Sequence, residues 1–147
     1  RNIIRYPTVR RPLTVSGKFD TGVALLRLFP GIRQETVHAV ISISGIRGLI
    51  LETYGTGNAP TAQWFLDELR SFIARGGIVL NVTQCLAGSV EMGLYETSAG
   101  LISAGVISGR DITTEAAVTK MMILLGSGMP AERVGLLLGR PLCGEMS

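Results

Sequence analysis

The residues with the most distinctive chemistry in this 147-residue chain are gathered in one short segment, Tyr54-Gly55-Thr56-Gly57-Asn58-Ala59-Pro60. Gly55 and Gly57 permit backbone angles closed to residues with a Cβ, and they let another chain approach closely. Asn58 offers a donor and an acceptor from a single amide, a combination suited to a second amide or a carboxylate. Two readings stand side by side. In one the segment is a strand-to-helix turn in which Asn58 caps the helix and Pro60 occupies its first turn. In the other it is a rigid site that presents the amide to a ligand or a neighbouring chain, with Tyr54 and Gly57 as supports.

Other candidates are fewer. Cys85 follows Thr83-Gln84, and it reads either as a small buried hydrophobe or as part of a site. Thr83 and Gln84 either bond a ligand or satisfy a strand end. His38, the sole histidine, lies inside a short helical pattern and reads as a rim residue; as a base it would need a partner. There is no Gly-x-Ser-x-Gly elbow. No phosphate-binding Gly-x-x-x-x-Gly-Lys run occurs, and Gly55-x-Gly57 lacks the third glycine of a dinucleotide fingerprint. Two distant cysteines and one histidine offer no metal-ligand spacing.

These residues must be positioned by an alternating pattern. Val23–Phe29 reads as a strand ended by Pro30-Gly31, and Gln34–Ser42 as a short helix with Val37, Val40 and Ile41 at helical spacing. Gly48 to about Thr53 is a second, buried strand. Phe65, Leu69 and Phe72 mark one face of a helix closed by Gly76-Gly77. Ile78–Thr83 is a third strand, followed by a helix over Tyr95–Ala104 and a short strand at Val106-Ile107. Thr113 is the expected N-cap of the next helix, with Glu115 complementing its dipole and Val118, Met121, Met122 and Leu125 as its inner face. Gly126 is expected to stop it. A last helix runs from Pro130 to about Leu138. Strands separated by single helices imply right-handed crossovers and a parallel sheet covered on both faces. The fold expected is a small, flavodoxin-like three-layer α/β/α domain with a mostly parallel sheet. Ligands then lie beyond the carboxyl ends of the strands, where the Tyr54–Pro60 and Gln84–Gly88 loops stand.

Composition supports that class. A 46% hydrophobic content and a mean hydropathy of +0.38 exclude a disordered chain, and strands buried on both faces account for the excess. The longest apolar runs fall far short of the roughly 20 residues of a membrane-spanning helix, so no membrane partner is expected. With only 17% charged residues, part of the surface is expected to be covered by another domain or subunit. Arg1, Arg5, Arg10 and Arg11 cluster near the start, but Pro7 and Pro12 among them fit a linker better than a basic nucleic-acid arm. Two cysteines imply no disulfide framework, and free thiols in a reducing cytoplasm are the default.

Ile50-Leu51-Glu52-Thr53-Tyr54-Gly55-Thr56-Gly57-Asn58-Ala59-Pro60 resembles the signature of the C-terminal domain of cytoplasmic, type I L-asparaginases. Further similarities follow in order: Leu28-Phe29-Pro30-Gly31, Asn81-Val82-Thr83-Gln84-Cys85, Gly88 to Thr97, Gly105 to Ala117, and Leu142 to Met146. The resemblance extends from about residue 20 to the end. It implies hydrolysis of L-asparagine to L-aspartate and ammonia with no metal or cofactor. It also implies a threonine nucleophile in a larger N-terminal domain, whose Thr-Gly-Gly-Thr and Gly-Thr-Asp-Thr motifs do not occur here. Residues 1–21 are then an interdomain linker, and residues 22–147 are the C-terminal domain. In the family, two subunits form an intimate dimer in which this domain completes the neighbour's active site. The position matching Asn58 lies at that shared site, in a positioning role.

Some members also bind asparagine at a regulatory site between subunits. Cys85 matches one of its positions, whereas Glu52 stands where the family has an Arg. That exchange reverses the interaction with a substrate carboxylate and puts such control in doubt. Two alternatives remain: the asparaginase-like subunit of a tRNA-dependent amidotransferase, and a stand-alone module binding a small amide or carboxylate.

Overall fold

The computed structural model describes Val9, Pro12 and residues 14–85, 88–92 and 96–147, the side chains of Glu96 and Thr97 apart. The expectations for most of residues 1–13, and for a helix beginning at Tyr95, lie outside these residues.

Four parallel strands, β1 (Val23–Arg27), β2 (Gly48–Thr53), β3 (Ile78–Thr83) and β4 (Ile107–Ser108), lie side by side in chain order. The strands are linked in turn by α1 (Gln34–Ile41), α2 (Gln63–Ala74) and α3 (Glu96–Ser103). Three successive crossovers of one hand carry these helices to a single face of the sheet. Val37, Phe65, Leu69, Phe72 and Leu101 there pack against Leu49, Leu51 and Val79. The opposite face is covered by α4 (Thr114–Gly126) and α5 (Ala131–Leu138), through Met121, Leu124, Leu125, Val134 and Leu138 against Ile50, Leu80 and Val82. Every residue of β2 and β3 is buried, which explains their apolar runs. The three-layer parallel α/β architecture is the one the sequence pattern implies.

Several boundaries differ. β1 ends at Arg27 rather than Phe29; Leu28 still donates its N–H to the Glu52 carbonyl at 2.9 Å, after which Pro30 has no N–H to continue a ladder. The expected short strand at Val106-Ile107 is found one residue later. Helix α4 does begin at the Thr113 cap, whose side chain accepts from the Ala116 N–H. It includes Gly126 instead of stopping there, and the left-handed residue is Gly128, φ 75°. Gly126 serves packing: a Cβ there would come within 2.5 Å of the Lys18 carbonyl oxygen.

The inner face of α4 is also turned from the expected one. Ala117, Lys120, Met121, Leu124 and Leu125 are buried, while Val118 and Met122 are only partly covered. Hydropathy places a lysine outside, but the Lys120 ammonium has partners inside. It donates to the carbonyls of Leu138 (3.1 Å) and Arg140 (2.6 Å) and pairs with Glu145 at 2.6 Å. This clamp fastens residues 139–146 across α4 and buries Met146 in the second core.

Burial works to raise the Glu145 carboxyl, but the hydrogen bonds from Lys120 and from the Cys143 and Leu142 N–H groups outweigh it and lower it to about 2. A depressed carboxylate stabilises the fold above its unfolded value and loses that contribution as pH falls through the folded value. Stability is therefore expected to drop between about pH 4.5 and pH 2. Glu145→Gln is expected to remove roughly 3 kcal/mol at neutral pH and flatten that acid limb, as read by urea melts across pH.

Candidate functional site

The Tyr54–Pro60 segment continues straight from the carboxyl end of β2. The chain turns through Gly55 (φ 48°) and Gly57 (φ 108°). Tyr54 and Asn58 then close a miniature antiparallel bridge, each N–H donating to the other's carbonyl at 2.9 Å. The capping reading of Asn58 is corrected by this geometry. Helix α2 starts only at Gln63, with Ala62 at its N-cap and no side-chain cap. Pro60 correspondingly lies before the helix, not in its first turn. Asn58 belongs to the turn because the bridge with Tyr54 fixes it short of the helix entry.

Strand register decides what holds this turn. Leu51 lies opposite Asn81, and Thr53 opposite Thr83. Asn81 is fully buried; its Oδ1 accepts from the Thr53 hydroxyl at 2.6 Å, and its Nδ2 donates to the Gly57 carbonyl at 3.5 Å. Thr83 donates its hydroxyl to the Gly55 carbonyl and accepts from the Cys85 N–H at 3.0 Å. Gln84 donates to the carbonyls of Leu28 (2.7 Å) and Glu52 (3.0 Å). From the far side, Glu91 donates its N–H to the Thr56 carbonyl at 3.0 Å. Of the two readings for Thr83 and Gln84, satisfaction of the strand end is the one realised.

Tyr54 packs against the α1–α3 core and Gly57 is buried. A Cβ on Gly57 would come within 2.8 Å of Val90 Cγ1. Asn58 is half-buried at the exit. Asn81, which the sequence reasoning passed over as one residue of a strand, is the centre of this network. Its signal was a lone amide inside the apolar run Ile78–Val82.

Glu52 and Cys85 occupy a different place. Consecutive strand residues point to opposite faces, so Thr53 joins the α2 side while Glu52 joins the α4 side. Glu52 and Cys85 line one cleft of about 460 Å3, together with Arg27, Gln84 and Thr113 to Glu115. The two residues singled out for regulation are thus brought together, back to back with the Asn58 loop. Cys85 is exposed, not a buried hydrophobe, and both cysteines are free thiols. On the cleft rim, the Ser147 N–H donates to Asp111 at 2.6 Å and is the main cause holding that carboxyl below its ordinary value.

His38 has a partner after all. Its Nδ1 lies 3.0 Å from Glu68 Oε2, and its Nε2 lies 3.3 Å from the Ser42 hydroxyl. This chain of contacts is exposed on the outer edge of α1 and α2. The Gln34 amide, and after it His38, hold the Glu68 carboxyl below its ordinary value. The arrangement braces two helices at the rim. Among the described residues no three His, Cys, Asp or Glu side chains are grouped to hold a metal ion, and no helix is long and apolar enough to cross a membrane.

Residues 22–137 match the family model described as the glutaminase/asparaginase C-terminal domain. The chain is 38% identical to L-asparaginase 1 of Escherichia coli (strain K12) over 85% of its own length and 37% of that protein's. It is 38% identical to a Homo sapiens 60 kDa lysophospholipase over its whole length and 26% of the relative. A glutamyl-tRNA(Gln) amidotransferase component from Methanobrevibacter smithii is 34% identical, over 92% of this chain and 30% of the relative. The crystal structure of L-asparaginase I from Vibrio cholerae superposes with a TM-score of 0.82 at 40% identity, covering 86% of this chain and 38% of that one. The chain therefore spans well under half the length of the relatives it matches.

Asn81→Leu would strand the buried Thr53 hydroxyl and the Gly57 carbonyl. It is expected to cost about 2–3 kcal/mol and to speed amide exchange at Gly57 and Asn58 beyond that in the strands, as read by hydrogen-exchange NMR.

Proposed function

The chain belongs to the glutaminase/asparaginase C-terminal domain family, and from that premise we propose that it is the C-terminal domain of an L-asparaginase. It acts beside an N-terminal catalytic domain reached through residues 1–21, in a homodimer or tetramer located in the cytoplasm. The observation that carries the reading is the bridge-locked turn that holds Asn58 at the carboxyl end of the sheet, tied to buried Asn81 and Thr83. In this reading Asn58, backed by Gly57 and Tyr54, offers its amide to L-asparagine in the neighbouring subunit. The nucleophile comes from the N-terminal domain, so Asn58 positions the reacting amide and breaks no bond. A turn with so few soft torsions loses little entropy when it meets substrate, which is what positioning requires. Leu25 and Phe29, both about half exposed near the same sheet end, support an apolar contact with another domain or subunit.

A second reading rests on the match to an amidotransferase component. There the same turn would serve a tRNA-linked substrate with a partner subunit. Within the asparaginase reading, the Glu52–Cys85 cleft is not an effector site for asparagine, because the buried Glu52 carboxylate repels the effector's own.

The 147-residue chain alone is expected to release no ammonia from asparagine above background; release would sink the reading. In a complete enzyme carrying this domain, Asn58→Ala is expected to lower kcat/KM at least about tenfold, the loss of one oriented hydrogen bond to a reacting group. Unchanged turnover of asparagine together with activity on a glutamyl-tRNA substrate would favour the amidotransferase. Calorimetric titration of the isolated chain with asparagine and aspartate is expected to be silent, whereas saturable binding would indicate a stand-alone module.

A further inference from the structure

A backbone outlier stands beside the Asn58 turn. Arg110 is the one non-glycine among the described residues with a positive φ, 54°, a conformation a side chain adopts only where its surroundings impose it. Here they do. The preceding Gly109 donates its N–H to the Asn81 carbonyl at 2.8 Å, and a Cβ there would come within 2.8 Å of the same oxygen. Arg110 donates its own N–H to the Ser108 hydroxyl at 3.2 Å and its guanidinium to the Ser147 carbonyl at 2.8 Å. The corner so formed takes hold of Val90 at both of its backbone groups. The Arg110 carbonyl accepts the Val90 N–H at 2.8 Å, and the Ser108 hydroxyl donates to the Val90 carbonyl at 3.1 Å.

Val90 is only 3% exposed, and its side chain bears on Gly57. A Cβ on Gly57 would lie 2.8 Å from Val90 Cγ1 and 3.4 Å from the Asn81 amide nitrogen. The glycine that precedes Asn58 is therefore enclosed from two sides. Next along, the Glu91 N–H holds the Thr56 carbonyl at 3.0 Å. Glycine populates positive and negative φ about equally, so Gly57 at 108° is held there by what packs on it. We propose that Val90 is a positioning residue for the reaction. Clasped by Ser108 and Arg110, it keeps Gly57, and through it the Asn58 amide, in one orientation; this rests on the reading that Asn58 meets L-asparagine. Asn81 ties both sides of the clasp together, with its side chain on the Gly57 carbonyl and its backbone at the Gly109 corner.

The test is a mutant cycle in a complete enzyme carrying this domain. Val90→Ala, which removes the γ carbon facing Gly57, is expected to lower kcat/KM about tenfold, the scale of a small misplacement in a reacting complex. In the same protein, hydrogen exchange across residues 54–58, followed by mass spectrometry, is expected to speed up several-fold. Added to Asn58→Ala, the change is expected to cost no further activity, because both variants lose the same oriented amide. A general loosening of the domain would instead multiply the two losses, and that result overturns the proposal. Unchanged exchange across the turn, with Asn58→Ala still damaging, overturns the proposal and leaves the asparagine reading in place. Faster exchange with an inert Asn58→Ala would sink that reading and, with it, the role in the reaction. Should Val90→Ala not fold, Ser108→Ala cuts the clasp at its anchor and carries the same readouts.

Discussion

Asn81 lies in the middle of a parallel sheet with no access to water, and its amide has to be satisfied by protein there. It meets the Thr53 hydroxyl on one side and the Gly57 carbonyl on the other. Those two bonds fix where β2 stops and where the turn begins. Thr83 and Gln84 extend the same lattice to the carbonyls of Gly55, Leu28 and Glu52. The carboxyl edge of the sheet is in this way closed by side chains on backbone carbonyls. Among the described residues no buried side-chain nitrogen or oxygen lacks a partner. A network of this kind is costly when partly broken and stiff when complete, which is the property a turn needs if its amide is to be held in one place.

The alternation of strand faces then separates two surfaces that are adjacent in sequence. Thr53 turns toward α2 and supports the Asn58 turn. Glu52, one residue earlier, turns toward α4 and closes a cleft with Arg27 and Thr114. A single strand end therefore serves two sites that share no side chain of their own, apart from Thr83 and Gln84, which tie the turn while bordering the cleft. Position matters as much as residue type here. Had the register of β2 slipped by one, Glu52 would meet the apolar α2 face and Thr53 the cleft.

The second core depends on another buried polar device. Lys120 and Glu145 pair under the tail, and the ammonium also takes two carbonyls at the end of α5. The pair closes the α4–α5 layer and seats Met146. Its value lies in specifying where the tail crosses, since a buried ion pair contributes modest net stability over an apolar alternative while its disruption is costly.

Local pattern was enough for much of this. The apolar runs of β2 and β3, the Phe65–Leu69–Phe72 stripe, the Thr113 cap and the order of the elements were legible because periodicity and capping are properties of neighbouring residues. The motifs around Tyr54–Pro60 and Asn81–Cys85 likewise carried the family in their own spelling. What neighbours could not decide was where polar groups separated by tens of residues would meet. The role of Asn81, the burial of Lys120 and the pairing of Glu52 with Thr114 all arise from contacts across 18 to 62 positions of chain. Sheet register and helix packing set those distances, and only the assembled fold fixes them.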